Sequence, residues 1–321
     1  MTFLQLLEAK HFNRLQKKII FEFANTSAEF SSQWLIHCIR SNCSTLELAF
    51  AIAFADRWKL TVLDDLENYL TPILDQNTAS KLSFDNELRT IEQMMSGYSH
   101  RRLIKLLNQI TCLTNNNKEL NIVSQNLFTT QTNIPQILID KIIADSKPQL
   151  TAVALFGDQG SDSKDTSIRN NTHFPTPLPN TMLELALLEK IMAANSNESI
   201  QFAEPAVILR YKPEQYYKWH YDHIYPHNEQ IQQQINQFGQ RKKTAIFYLN
   251  DNFSGGETEF KSPFVSVKPK QGQIATFNNC DPAGKRLTQS LHRGTEVVQG
   301  EKWIITLWFR DKPFWLRTGF L

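Results

Sequence analysis

Between Tyr216 and Asn228 the chain reads YYKWHYDHIYPHN, which sets three histidines and one aspartate among aromatic residues. His220 and Asp222 flank Tyr221. On an extended strand, residues two apart project to the same face, so this imidazole and this carboxylate can reach one cation. A His-x-Asp pair alone arises easily by chance. A metal site needs a third donor from a distant strand on the same wall, and His292 in SLHRG is the natural choice. Two imidazoles and one carboxylate on one face of an octahedral Fe(II) leave three adjacent positions open for exchangeable ligands. Lys302 follows at the start of the apolar run KWIITLWFR. A cation inside a barrel is costly unless it is paired. A dianion would pair it, with one carboxylate and a keto group on the metal and the far carboxylate on the lysine.

Other chemistry-bearing residues carry blander readings. His223 falls on the strand face opposite Asp222, and His227 falls in the following loop, so both are read as surface or rim residues. Gly255-Gly256 is read as a tight hairpin turn, because no helix start with Lys-Ser/Thr follows it to cradle a phosphate. Gln240-Arg241-Lys242-Lys243 is basic and is read as a solvated strand start. Met94-Met95 on a helix is read as core.

The elements that must position these residues divide the chain in two. The first part has apolar residues at three- and four-residue spacings, as in FLQLLEAKHFNRLQKKIIFEFA. Ser31-Ser32 and Ser44-Thr45 are candidate helix caps. A long helical stretch, FDNELRTIEQMMSGYSHRRLIKLLNQITCL, is broken near Gly97. Residues 1–114 are therefore expected to form an all-helical N-terminal domain. The polar stretch 115–132, opening on Asn115-Asn116-Asn117, is expected to be a linker. Pro135 then sits in the first turn of a helix.

From there to residue 321 the period shifts to two. AVALFGD, AVILRY, TAIFYLN, ETEFKS, FVSVKP, QIATFN, SLHRGTEVV and KWIITLWFR are candidate strands, several separated by glycine turns. Short strands joined by tight turns predict an antiparallel sandwich or barrel, and hence an α+β chain. The polar segment 157–181 between the first two strands is long for an idle connection and is expected to act as a lid. Arg169 within it would reach a substrate carbonyl or acidic side chain.

The bulk composition sets limits. A formal charge of +2 over 321 residues does not suggest nucleic acid or a membrane surface as partner. The four cysteines lack CxxC spacing, which argues against a disulfide framework or zinc knuckle and fits a reducing cytoplasm. No apolar run is long enough to cross a bilayer.

RYKPEQYYKWHYD, KTAIFYLND, GGETEF, VSVKPKQGQIATFNN and SLHRGTEVVQGEKWIITLWFR together resemble the prolyl 4-hydroxylase branch of the Fe(II)/2-oxoglutarate dioxygenases, over roughly residues 133 to 321. The resemblance implies a double-stranded β-helix, or jelly roll, flanked by helices. It implies that His220, Asp222 and His292 hold Fe(II), and that Lys302 receives the far carboxylate of 2-oxoglutarate. Tyr211 and Thr244 resemble the hydroxyl residues that assist it. Trp308 resembles a tryptophan lining the pocket, and Tyr217 an aromatic that faces substrate. L-ascorbate is an optional further cofactor. The implied reaction hydroxylates a prolyl residue of a peptide or protein while 2-oxoglutarate and O2 become succinate and CO2. A free amino acid or small metabolite is the rival substrate, and a non-catalytic partner-binding or oxygen/iron-sensing protein is the rival of another class. The helical domain could serve dimerisation, substrate docking or cover for the barrel. Two positions depart from the family pattern. Glu214 stands where the family's Tyr-x-x-Gly-x-x-Tyr has glycine, and HRGTEV places Arg293 and Glu296 near the mouth.

Overall fold

The computed structural model describes residues 14–73, 84–95, 100–113, 120–152, 155–156, 162–163, 169–175, 182–314 and 317. In the N-terminal part these form helices α1 (Arg14–Thr26), α2 (Ala28–Arg40), α3 (Thr45–Arg57), α4 (Thr61–Ile73), α5 (Asp85–Met94) and α6 (His100–Cys112). Ser44 caps α3 by accepting from Glu47 N–H at 3.1 Å. The cap of α2 is Ser27, which accepts from Phe30 N–H, and not Ser31-Ser32 as the sequence suggests. Ser31 lies inside the helix, and its buried hydroxyl donates to the carbonyl of Ala24. Helix α3, TLELAFAIAFADR, is buried over Glu47–Ala55. A helix apolar on all sides belongs at the centre of its layer. The aromatic rings of Phe21, Trp34, Phe50 and Phe54 pack edge-on or tilted around it. Met94, expected in the core, is exposed, and Met95 packs against the core in its place.

The remaining elements are β1 (Asn121–Ser124), β2 (Leu127–Gln131), α7 (Gln136–Ser146), β3 (Thr151–Ala152), β4 (Leu155–Phe156), β5 (Asp162–Ser163), β6 (Thr172–Pro175), α8 (Leu183–Asn195), β7 (Val207–Tyr211), β8 (Tyr217–His220), α9 (Glu229–Phe238), β9 (Arg241–Tyr248), β10 (Ser254–Gly255), β11 (Thr258–Lys261), β12 (Phe264–Val267), β13 (Gln273–Asn278), β14 (His292–Gly294), β15 (Val297–Gln299) and β16 (Lys302–Arg310). The large sheet runs β1-β2-β13-β9-β16-β7-β6-β3, and a smaller one runs β12-β11-β14-β8. The pairings are antiparallel. Between the sheets, Leu209, Ile246, Phe277 and Ile304 of the large one meet Phe260 and Val267 of the small one. The chain thus combines helices with a two-sheet antiparallel assembly.

Both faces of the large sheet are covered, which explains why β16 reads as an unbroken apolar run. Its outer face, carrying Ile208, Phe247, Ile305, Leu307 and Phe309, belongs to the same core cluster as α8 and the N-terminal helices. Residue 114 is therefore not a boundary between two separate cores. The linker expected over 115–132 is also corrected. Residues 121–131 form the β1–β2 hairpin, and β2 pairs with β13 from Leu127↔Phe277 to Gln131↔Gln273. Threonine favours strands, and Thr129 and Thr130 are buried in the sheet, so polar composition was a poor guide.

An ion cluster joins the layers. Glu189 on α8 accepts from Arg40 at 2.9 Å and from Arg317 at 2.7 Å, all three side chains having no exposure. Burial pushes the Glu189 carboxyl up, but the two guanidinium groups outweigh it and hold it down at about 2. Arg317 Nη2 also donates to the carbonyl of Glu204 at 2.7 Å. The Glu204 carboxylate in turn holds Arg241 and Arg310, each at 2.6 Å.

Candidate metal centre and cavity

Strand β8 ends on His220 and β14 begins on His292, and the antiparallel register sets these two residues opposite each other. Their ring centroids are 4.1 Å apart. Asp222 is not on a strand face beside His220, as alternation predicts. It lies in the bend beyond β8, and the bend delivers its carboxylate to both imidazoles. Oδ1 is 3.7 Å from His220 Nε2, and Oδ2 is 3.7 Å from His292 Nε2. His220 Nδ1 lies 2.7 Å from the carbonyl of Lys218, and His292 Nδ1 lies 2.9 Å from that of Ser290. A carbonyl only accepts, so each Nδ1 carries the proton and each Nε2 presents a lone pair. Burial, with His292 beside it, pushes His220 down to about 3, so its ring is neutral. Burial raises Asp222, but the neighbouring histidines, Arg241 and the Thr244 hydroxyl outweigh it and keep the carboxylate ionised. Two imidazole Nε2 atoms and a carboxylate aimed at one point, with no hydrogen bond among them, fit a divalent cation of the Fe(II) class.

Thr244 is not a cavity hydroxyl. Its Oγ1 donates to Asp222 Oδ2 at 2.8 Å and accepts from Asn279 Nδ2 at 2.8 Å. It stands behind the carboxylate and fixes its orientation. Asn279 had no signal in the sequence.

The three donors open onto a cavity of about 480 Å³. Lys302 enters it from the start of β16, with 2% of its surface exposed. Its ammonium donates to the carbonyl of Gly256 at 2.6 Å and lies 5.3 Å and 5.8 Å from the ring centroids of Tyr211 and Tyr248. Among the described residues no carboxylate lies within ion-pair distance of it. Burial lowers it to about 7, with Glu257 opposing. A buried ammonium held by one carbonyl and two rings has the charge and the free donors to receive an anion. Gly256 makes the lysine's path possible: at φ +69° it sits where a Cβ would lie 3.1 Å from Lys302 Cδ. Tyr211 and Trp308 line the same cavity. Burial pushes the Tyr211 hydroxyl up to about 12, so it remains a donor. Trp308 Nε1 is buried with no partner among the described residues.

Arg241 corrects a second expectation. Its neighbours Lys242 and Lys243 pair with Glu198, but Arg241 itself lies on the cavity wall, 3.8 Å from the centre of the Trp308 ring. At the mouth, Tyr217 stacks on His220 with centroids 3.5 Å apart, and Arg169 covers Tyr217 at 4.5 Å. Arg169 also bridges to Tyr217 through its backbone and donates to Asn171 at 2.6 Å. Most of the expected lid, 157–181, lies outside the described residues. Arg293 lines the mouth, salt-bridged to Glu259 at 2.7 Å, whereas Glu296 points to solvent. His223 and His227 take no part; their nearest acceptors are the carbonyls of Gly284 and Tyr225.

Residues 206–310 match the model of the 2OG-Fe(II) oxygenase superfamily. A prolyl 4-hydroxylase homologue of Acanthamoeba polyphaga mimivirus is 35% identical over half of this chain and 66% of its own length. Prolyl 4-hydroxylase 1 of Arabidopsis thaliana is 33% identical over 39% of this chain and 47% of its own length. Prolyl 4-hydroxylase 13 of the same plant is 30% identical over 54% of this chain and 67% of its own length. Among solved structures, the viral collagen prolyl hydroxylase of Paramecium Bursaria Chlorella virus-1 aligns at 24% identity and a TM-score of 0.44, over 58% of this chain and 97% of that one. The chain belongs to the 2OG-Fe(II) oxygenase superfamily, in its prolyl 4-hydroxylase-like branch. It spans from about half to two thirds of the length of these curated relatives.

Proposed function

We propose that this chain is an Fe(II)/2-oxoglutarate-dependent hydroxylase of prolyl residues in a peptide or protein, built on a double-stranded β-helix. The observation that carries this reading is the convergence of His220, Asp222 and His292 with the buried ammonium of Lys302 in one cavity. Iron held there would bring 2-oxoglutarate and O2 together and supply the oxidant for a C–H bond. The balance is one C–H, one O2 and one 2-oxoglutarate giving one C–OH, one succinate and one CO2.

The chain's own residues do the positioning. His220 and His292 present fixed Nε2 atoms because their Nδ1 protons are held by backbone carbonyls. Thr244 and Asn279 hold the Asp222 carboxylate in place. Lys302, with Tyr211 at its side, takes the far carboxylate of 2-oxoglutarate. The Trp308 indole and the apolar wall of Ile246 and Ile304 keep water from the reacting centre. Tyr217 and Arg169 form the side over which a substrate chain passes. L-ascorbate would serve as reductant, and the reading places the protein in the cytoplasm with its four thiols reduced.

The test supplies Fe(II), 2-oxoglutarate and ascorbate with proline-containing peptides, and reads succinate together with one added oxygen on proline by mass spectrometry. The His292→Ala protein is the control. Oxygen appearing on free amino acids and never on peptides would replace this reading with the metabolite one. No 2-oxoglutarate turnover under any condition would remove the enzyme reading.

A further inference from the structure

A second donor cluster lies away from the cavity, where α2 turns into α3. Cys38 is near the end of α2, Cys43 in the turn, and Glu47 in the first turn of α3. One ligand atom of each lies within 4.8 Å of the other two. Cys38 and Glu47 are buried, and Cys43 is half-buried at the point where the cluster meets solvent. The carboxylate is oriented from behind, since Glu47 Oε1 accepts from Trp34 Nε1 at 3.1 Å. Lys190 on α8 faces the two thiols and interacts with both.

We propose that Cys38, Cys43 and Glu47 form a site for a soft divalent cation of the zinc class, binding α2 to α3 against α8. Two thiolates and a carboxylate are a donor set that Zn²⁺ prefers and that oxygen-seeking cations such as Mg²⁺ do not. The charges favour it: two thiolates and one carboxylate carry −3, the cation +2 and Lys190 +1, which sums to zero inside a buried cluster. A simple dithiol pair would need neither the carboxylate nor its tryptophan brace. The side open at Cys43 provides the entry path and room for a water as fourth ligand. This site shares no residue with the His220–Asp222–His292 cluster, so it stands whether or not that cluster holds iron.

The experiment titrates the reduced full-length chain carrying His220→Ala and His292→Ala with Co²⁺, which reports thiolate ligation by a thiolate-to-cobalt charge-transfer band. The band should saturate near one equivalent. It should be lost on adding Cys38→Ala or Cys43→Ala. A protein that takes up Co²⁺ without the band, or none at all, overturns the proposal. Because a cysteine variant could misfold, a second measurement uses the unaltered chain: Zn²⁺ alone should slow alkylation of Cys43 by about tenfold or more, because a metal-bound thiolate is withdrawn from reaction. An unchanged rate, or a Cys38–Cys43 disulfide forming in air with no metal uptake beforehand, also overturns it.

Discussion

Thr244 Oγ1 donates to Asp222 Oδ2 at 2.8 Å, and Asn279 donates to Thr244 at the same distance. This short relay ties the candidate metal carboxylate to the large sheet. Thr244→Val should preserve shape and remove the bond. Fe(II) affinity is then expected to fall by about ten- to a hundredfold, the usual cost of losing a partner that orients a ligand. At saturating iron, 2-oxoglutarate affinity should stay within about twofold, since this hydroxyl is held by Asp222 and Asn279 and does not line the cavity. Separate titrations of metal and co-substrate check both halves. A variant that loses 2-oxoglutarate affinity alone would return Thr244 to the cavity wall.

Removing a donor should end turnover while leaving the fold. His220→Ala, Asp222→Ala and His292→Ala each delete one of the three converging groups; the histidine changes also give up ring contacts, with Tyr217 for His220 and with Phe260 and Phe277 for His292, while the large-sheet core stays in place. The expected result is a native circular dichroism spectrum with no succinate produced. Wild-type activity in His292→Ala would refute the assignment.

Lys302→Ala should weaken 2-oxoglutarate binding by about 2–5 kcal/mol, as for breaking a buried charge pair, and Fe(II) binding far less. Calorimetric titration of each ligand separates the two effects.

The same lysine sets a pH dependence. It is lowered to about 7 in the folded chain, whereas an unfolded lysine keeps its proton to about 10.4. Between these values the unfolded chain binds the extra proton, so this residue makes stability rise with pH through that window. Co-substrate binding runs the other way, because the far carboxylate requires the ammonium. Above pH 7 the 2-oxoglutarate Kd should climb, approaching about tenfold per pH unit. A Kd that stays flat from about pH 6.5 to about pH 9 would show that the ammonium keeps its charge throughout.

Glu214 sits at φ +69°, and its N–H donates to the carbonyl of Val297 at 2.8 Å. That is the position where the family carries glycine, and the backbone still adopts the left-handed conformation glycine favours. Glu214→Gly should raise stability by about 0.5–1 kcal/mol, read as a rise in Tm with the cavity chemistry unchanged.

The candidate metal residues were legible because short-range facts constrained them. His220 and His292 lie at a strand end and a strand start, and Lys302 at the head of an apolar strand is a cation that the sheet must bury. Every candidate strand from AVILRY onward forms. What could not be read depends on partners far away in sequence. Arg241 looks solvated beside Lys242 and Lys243 until Trp308 and Glu204 are placed against it. Thr244 has the type of a cavity hydroxyl, and only the fold turns it toward Asp222. The hairpin over 121–131 hid behind a run of asparagines, because its strand character rests on threonines that β13 buries.

Arg317 meets Glu189 across 128 residues of chain and the carbonyl of Arg40 across 277. It also donates to the carbonyl of Glu204, whose carboxylate holds Arg241 on the cavity wall. During synthesis, then, the helices that carry Arg40 and Glu189 emerge and can pair early, but the wall behind the cavity stays without its last clasp until residue 317 has been made. The wall of the candidate cavity would in this way be among the later parts of the chain to set, since contacts this distant in sequence are among the slowest to form.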